Sequence, residues 1–201
     1  MFVLVEVFGD VLCPWCYIGK RRLESALMGL EVEVVWRAFE LDPGGSRVPG
    51  ETAAEAMAEW WGDRAEARVA QIRSLGATEG LELNLHLARP VNTFDAHRVA
   101  RLAAADGRGG VMVERLLRAY HTEGLNVADP EVLRRLGVET GLDGDRVDGV
   151  LVGAEFADEV RDDRRRAVEL GVSRVPTLVI DGAAPVPGVQ PVEELRRLLG
   201  G

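Results

Sequence analysis

The chain opens with a short apolar run that gives way to a longer stretch with helical spacing. Residues 2–8 are apolar apart from Glu6, which predicts a strand covered on both faces. Residues 14–28 repeat apolar side chains at three- and four-residue intervals, and residues 32–39 return to β-branched and aromatic types. Because two strands joined by a helix form a βαβ unit, we expect these two strands to pair in parallel.

The middle of the chain has a different composition, rich in alanine, leucine, arginine and glutamate. Residues 41–46 (LDPGGS) are turn-forming types that separate it from the first βαβ unit. The spacing beyond them predicts helices over residues 51–61, 63–75, 93–106, 110–123, 129–140 and 143–170, the last interrupted near Gly153. We therefore predict an all-helical insertion over residues 46–170.

Strand character returns after residue 170. Residues 177–180 (TLVI) end at an Asp-Gly turn, and the Pro-flanked stretch at Val186 suits only an edge strand. Residues 191–199 form a last amphipathic helix. The two ends of the chain, residues 1–45 and 171–201, are therefore predicted to build one α/β domain that is interrupted by the helical insertion.

Composition and charge narrow the range of partners. The 201 residues are 47% hydrophobic and 28% charged, as is typical of a globular protein with its own core. The net charge of −9 argues against nucleic acid or an anionic membrane as a partner. No stretch approaches the roughly 20 apolar residues of a membrane span, and the first apolar run lacks the basic flank of a signal sequence. We therefore expect a cytoplasmic protein, either a monomer or a homodimer.

The candidate chemistry lies in Cys13 and Cys16, the only cysteines of the chain, placed where the first strand meets the first helix. A disulfide that closes so short a loop adds only about 2 kcal/mol by chain entropy, so a purely structural bridge explains the spacing poorly. Zinc needs further ligands, and the three histidines show no paired spacing, so we predict no metal. Two inert core cysteines remain an open alternative. In a reducing compartment, the pair favours redox catalysis.

The position of the pair predicts different roles for its two sulfur atoms. If the helix begins at Pro14, then Cys13 is its N-cap residue and faces the unpaired N–H groups and the positive end of the helix dipole. Both features favour a thiolate at Cys13. Cys16 lies within about 20° of Leu23 and Leu27 around the helix, on the apolar face. We therefore predict Cys13 as the nucleophile and Cys16 as the buried, resolving thiol.

Four motifs in the same order resemble the DsbA-like thiol-disulfide oxidoreductases and, more narrowly, their FrnE-like branch. They are residues 10–21 (DVLCPWCYIGKR), 36–43 (WRAFELDP), 92–98 (NTFDAHR) and 171–176 (GVSRVP). The resemblance implies a thioredoxin-like domain over residues 1–45 and 171–201. It also implies a cis peptide bond between Val175 and Pro176, folded against the cysteine pair. The Val175 backbone would then be open to pair with an extended substrate segment.

Two further residues next to the nucleophile complete the predicted substrate-positioning set. Pro14 and Trp15 separate the cysteines, and they join Val175 and Pro176 in this role. Trp15 stands at the helix tip, where we expect its side chain to be exposed. An exposed tryptophan beside a nucleophile suggests contact with apolar substrates.

Two titratable residues are candidate accessories to the thiols. Glu6 interrupts an apolar strand, so it is either a buried acid with a raised pKa that takes the proton of Cys16, or a solvated acid at an open strand end. His97 is a candidate proton shuttle. Asp10 is close to Cys13 in sequence, and its charge would oppose a thiolate there unless the side chain turned away toward the loop.

These features predict a thiol-disulfide oxidoreductase that works through a mixed disulfide with its substrate. Its partner is a thiol- or disulfide-containing protein or small molecule. We predict no tightly bound cofactor. Because the chain has no additional cysteine pair, glutathione or a partner protein is the expected external thiol.

Two alternatives stay open. Kappa-class glutathione transferases and hydroxychromene-carboxylate isomerases resemble the chain over residues 92–98, although they typically carry serine in place of Cys13. The alternative enzyme is therefore a glutathione-dependent isomerase or transferase that acts on an aromatic or polyketide-like small molecule. The non-catalytic alternative is a holdase or binding module in which the thiols are incidental.

Overall fold

The computed structural model describes residues 3–200, and a four-stranded sheet lies at its centre. The strands are β1 (Val3–Gly9), β2 (Val32–Ala38), β3 (Thr177–Ile180) and β4 (Val186–Pro187), in the order β2-β1-β3-β4. β1 and β2 pair in parallel, as predicted, and β3 runs antiparallel to both of its neighbours. Phe2, which the sequence pattern includes in the first strand, lies outside the described residues.

The helices follow the predicted order. They are α1 (Pro14–Leu27), α2 (Ala53–Trp61), α3 (Ala65–Thr78), α4 (Phe94–Ala105), α5 (Gly109–His121), α6 (Pro130–Glu139), α7 (Gly144–Val152), α8 (Ala157–Glu169) and α9 (Val192–Leu198). A 3-10 turn, Gly62–Arg64, joins α2 to α3. The predicted segment 143–170 is divided at Gly153, which is the C-cap of α7. Within residues 3–200, none of the helices is both long and apolar enough to cross a membrane.

The two faces of the sheet are covered by different helices. Val7 of β1 packs with Leu23 of α1 and Leu195 of α9 on one face. The next side chain, Phe8, points to the opposite face, where it packs with Ala167 of α8. Since β1 is covered on both sides, its nearly continuous apolar sequence is explained.

The larger hydrophobic core joins α1 to the helices that lie between β2 and β3. Tyr17 and Ile18 of α1 belong to the same buried cluster as Leu116 and Tyr120 of α5. Cys13 and Cys16 are part of this cluster too, so the pair lies where the sheet layer meets the helical block. The division of the chain at residues 45 and 170 stays a prediction. α8, which that division assigns to the insertion, packs on the sheet.

Candidate active site

α1 begins at the residue that the sequence predicts. Cys13 is its N-cap, with extended backbone angles of φ −86° and ψ 111°, and Pro14 is its first residue. The Cys13 N–H donates to the Asp10 carbonyl oxygen at 3.2 Å, and the Cys16 N–H donates to the Cys13 carbonyl oxygen at 3.0 Å. These hydrogen bonds fix the loop after β1 and place both sulfur atoms at the N-terminal end of α1.

The two thiols are free and buried, each with an exposure of 6%. The Cys13 thiol donates a hydrogen bond from Sγ to the Val175 carbonyl oxygen at 3.6 Å. Burial raises the pKa of the Cys16 thiol well above its usual range, and its hydrogen bond with Cys13 acts in the same direction. The burial predicted for Cys16 is therefore confirmed, and the energetic cost of ionising it is large.

The loop that precedes β3 packs against the start of α1. Its Val175–Pro176 peptide bond is cis, and Pro176 is buried. A Cβ atom on Gly19 would lie 2.9 Å from the Gly188 carbonyl oxygen and 3.0 Å from Pro176 Cγ, so glycine permits this close approach of α1. The Gly188 N–H also donates to the Pro176 carbonyl oxygen at 2.9 Å. The structure thus brings Val175 and Pro176 next to Cys13, as the resemblance implies.

A pocket of about 450 Å³ lies beside Cys13, and we refer to it as the aromatic pocket. Its walls include Leu12, Trp15, Leu41, Met57, Trp60 and Trp61. Trp15 is half-buried and packs against the large core, so the prediction of an exposed Trp15 is wrong. The reason is tertiary: Trp15 packs against a hydrophobic core to which Met57 of α2 and Ile72 of α3 belong, and the sequence around Trp15 carries no sign of that contact.

A second cavity of about 50 Å³ lies next to Cys16, and we refer to it as the inner cavity. Asp10 and His97 line it, with His97 Nε2 placed 3.2 Å from Asp10 Oδ1. The Leu41 N–H donates to Asp10 Oδ2 at 2.7 Å. The structure therefore brings His97 together with Cys16. Asp10 was not predicted to be an accessory residue, but its carboxylate pairs with His97. Its position directly after β1, close to Cys13, could have indicated a place at the site.

Glu6 is buried, with an exposure of 1%, but it is not the acid that the sequence predicts. Its carboxylate accepts hydrogen bonds from Arg166 at 2.6 and 2.7 Å and from Arg37 Nε at 2.8 Å. The hydrogen bonds from Arg166, followed by the charge of Arg37, lower the pKa of Glu6. The burial of Glu6 that the first alternative predicts is confirmed, but its raised pKa is wrong, and so is the solvated side chain of the second alternative. Glu6 also points to the α8 face of the sheet, away from α1 and Cys16.

His121 is a buried residue at the site that the sequence left unassigned. Its ring has an exposure of 0% and meets the Tyr120 ring edge-on, with centroids 4.8 Å apart. Among the residues that the structure describes, neither ring nitrogen has a hydrogen-bond partner. Burial lowers the pKa of His121 to about 4, against the opposing effect of the Val11 and Cys13 backbone. A neutral imidazole therefore underlies the cysteine loop, a placement that no pattern within α5 predicts.

The chemistry available at this site is that of a dithiol. No group of three or more His, Cys, Asp or Glu side chains within residues 3–200 is arranged to hold a metal ion. The mixed sheet, with a Cys-x-x-Cys pair at the N-terminus of α1 and a proline loop facing it, defines a thioredoxin-like fold. The family model of the DSBA-like thioredoxin domain matches residues 4–200. The chain therefore belongs to the DsbA-like thioredoxin family.

Similar proteins agree with this assignment. The chain is similar to a probable DsbA oxidoreductase from Streptomyces coelicolor, with 37% identity and a TM-score of 0.91 over 98% of this chain and 88% of that one. It is 29% identical to an uncharacterized protein of Bacillus subtilis over 190 residues, which are 94% of this chain and 91% of the other. The cytosolic disulfide reductase DsbM from Pseudomonas aeruginosa, solved alone and with GSH, shares the fold at 24% identity and a TM-score of 0.68, covering 98% of this chain and 97% of its own.

Proposed function

We propose that this protein is a thiol-disulfide oxidoreductase in which Cys13 is the nucleophile and Cys16 resolves the mixed disulfide. The observation that carries the proposal is the asymmetry of the pair. Cys13 caps α1 beside the aromatic pocket and the Val175 carbonyl, whereas Cys16 lies behind it against the inner cavity. The four sequence motifs favour the FrnE-like branch of the family. Oxidoreductase or isomerase activity is general in DsbA-like proteins, and the dithiol favours the former.

The exchange proceeds in two steps. The Cys13 thiolate attacks one sulfur of a substrate disulfide, forms a bond to it, and releases the other sulfur as a thiolate. Cys16 then loses its proton and attacks Cys13 Sγ, which releases the second substrate thiol and leaves a Cys13–Cys16 disulfide. Pro14, Trp15, Val175 and Pro176 position the substrate. In a reducing cytoplasm, glutathione or a protein thiol reduces the Cys13–Cys16 disulfide back to the dithiol. When the pair starts as a disulfide, the same steps run in reverse and oxidise a substrate dithiol.

The mixed disulfide tests the proposal directly. In a Cys16→Ala variant treated with 4,4′-dithiodipyridine, we expect one pyridinethiol to be released and the other to remain on Cys13, because the resolving thiol is absent. Mass spectrometry of the intact protein and of its peptides locates the adduct. The matched control is Cys13→Ala, in which the remaining thiol, Cys16, should react slowly because its pKa is raised. Equal labelling of Cys16 in that control would contradict the assignment of the nucleophile.

The two alternative functions have their own readouts. A glutathione-dependent isomerase would hold glutathione beside residue 13 without forming a covalent adduct, so it would still bind glutathione in the Cys13→Ser variant. A holdase would suppress the aggregation of an unfolded protein irrespective of either cysteine. Neither alternative function depends on a mixed disulfide at Cys13 or on its resolution by Cys16, whereas the activity of the oxidoreductase requires both.

Resolution also requires a route for the proton of Cys16. Since burial raises the pKa of this thiol, a base must accept its proton at neutral pH. His97 and Asp10 line the inner cavity with Cys16, and a cavity of about 50 Å³ is wide enough for water. The Leu41 N–H and His97 hold the Asp10 carboxylate in place. The proposal therefore assigns the Asp10–His97 pair, instead of Glu6, as the acceptor of this proton.

A His97→Asn variant is expected to resolve its mixed disulfide about tenfold more slowly at neutral pH, because general-base assistance is lost. The deficit should shrink as the pH rises, since Cys16 then ionises without help. Stopped-flow release of pyridinethiol separates the two steps: the first release reports attack by Cys13 and the second reports resolution by Cys16. The exposed His86 provides the matched control, His86→Asn. A deficit of equal size at every pH would indicate a purely structural role for His97.

A further inference from the structure

The walls of the aromatic pocket come from six parts of the chain that converge on Cys13, among them Ile72 of α3 and the loop residue Pro90. Trp15 belongs to the first turn of α1, Leu41 to the loop after β2, Met57 and Trp60 to α2, and Tyr120 to α5. The volume of about 450 Å³ lies within the range of small-molecule sites, roughly 300–1,000 Å³. Such a space is large enough for one arm of a small disulfide.

Within residues 3–200, the aromatic pocket has an acidic residue in its lining and no basic one. Among the described residues that line it, Asp42 carries the only formal charge, and Asp42 is exposed to solvent. Tryptophan ring faces attract cations and disfavour anions. The net charge of the chain, −9, has the same sign as Asp42 and therefore disfavours the approach of anionic substrates. Arg68 stacks on Trp61, at 4.7 Å from the ring centroid, but it does not line the pocket.

We propose that the aromatic pocket selects low-molecular-weight aromatic disulfides that carry no negative charge, and that Asp42 is the specificity-determining residue against anionic ones. This inference rests on the proposed disulfide exchange at Cys13. One aromatic arm lies among the tryptophan rings and presents its sulfur to Cys13, while the other arm faces solvent. Trp60 lies at the rim of the pocket and is 67% exposed. An aromatic arm that stacks on the Trp60 ring would therefore bury much apolar surface.

The electron balance is that of ordinary thiol-disulfide exchange. Cys13 forms a bond to the sulfur of the bound arm as the substrate S–S bond breaks, and the outer arm leaves as a thiolate. Cys16 then displaces the bound arm. The protein dithiol loses two electrons and two protons in total, and the substrate becomes two thiols.

Two common thiol probes form a matched pair for the test. 4,4′-Dithiodipyridine is a neutral aromatic disulfide, and 5,5′-dithiobis(2-nitrobenzoate) is an aromatic disulfide with a carboxylate on each ring. The rate of first release from the reduced protein is measured for each probe and divided by the rate of the same probe with free 2-mercaptoethanol, which removes the intrinsic reactivity of the probe. We expect the native protein to favour the neutral probe by about tenfold after this correction.

Asp42→Asn is expected to raise the rate with the nitrobenzoate probe about fivefold and to leave the pyridine probe within about twofold, because one negative charge is removed from the pocket. Glu59→Gln removes the same charge from an exposed position of α2 outside the pocket, and it should change neither rate. Trp60→Ala should slow the neutral probe about fivefold, since an aromatic contact is lost.

The possible failures are distinguishable. If the native protein and Asp42→Asn discriminate between the probes to the same extent, or if Glu59→Gln acts like Asp42→Asn, the inference is overturned while disulfide exchange at Cys13 stands. If neither probe releases its thiol faster than it does with 2-mercaptoethanol, and Cys13→Ser reacts like the native protein, then the proposed function itself fails.

Discussion

Replacement of Cys13 by serine is expected to abolish disulfide exchange, with a loss of more than about a thousandfold in the rate of first pyridinethiol release. A hydroxyl group at this position is almost never ionised at neutral pH and cannot form a mixed disulfide. The remaining thiol, Cys16, is buried, and its raised pKa keeps it protonated. The measurement is stopped-flow absorbance with 4,4′-dithiodipyridine under single-turnover conditions.

Cys16→Ser is the matched comparison, because it makes the same chemical change three positions along α1. We expect this variant to release the first pyridinethiol at nearly the native rate and to stop there. Circular dichroism and thermal unfolding show whether each variant is folded. If Cys13→Ser still released both equivalents of pyridinethiol, the assignment of the nucleophile would be refuted. If Cys16→Ser also failed to release the first pyridinethiol, the assignment of Cys16 to the resolving step alone would be wrong.

The elements around the cysteine pair could be predicted because their signals are local. Pro14 at the first position of α1 and Cys13 at its N-cap depend on backbone geometry within a few residues. The apolar spacing of α1 likewise places Cys16 on its buried face. The parallel pairing of β1 with β2 follows from the length of the helix that connects them.

The contacts that could not be predicted join positions far apart in the chain. The charge of Glu6 is balanced by Arg37 on the neighbouring strand β2 and by Arg166 on α8, and neither partner has a spacing that marks it. Trp15 is half-buried because it packs against a core to which α2 and α3 contribute side chains. In each case the apolar or charged character of a residue is plain from the sequence, but its partner depends on tertiary packing.

The structure separates the two halves of the proposed chemistry. Cys13 borders the aromatic pocket, where substrate would enter, and Cys16 borders the inner cavity, where Asp10 and His97 lie. Proton transfer from Cys16 can therefore proceed without competition for space with the substrate. In the proposed mechanism, this arrangement gives Cys16, a thiol whose pKa is raised by burial, a base within the same cavity.

Buried ion pairs around Asp163 connect the sheet that supports this site to α8. Asp163 of α8 is 2% exposed and accepts hydrogen bonds from the Ala38 N–H at 2.8 Å and from Arg37 at 3.2 Å. Arg101 of α4 also pairs with it. Asp163 therefore links β2, α4 and α8, and Arg37 connects it in turn to Glu6 in β1.

Asp163→Ala is expected to lower the free energy of unfolding by about 3 kcal/mol, because it removes the carboxylate that pairs with Arg101, one of the two carboxylates that pair with Arg37, and the acceptor of the buried Ala38 N–H. Solvent still reaches part of Arg37 and Arg101, which keeps the loss at the lower end of the range for broken buried pairs. The neighbouring Asp162 pairs with Arg165 on the exposed side of the same helix, so Asp162→Ala should cost less than about 1 kcal/mol. Urea unfolding with equal slopes measures both variants. Similar urea midpoints for the two variants would show that Asp163 does not stabilise the packing of α8 on the sheet. A much lower midpoint for Asp163→Ala would show that its carboxylate does.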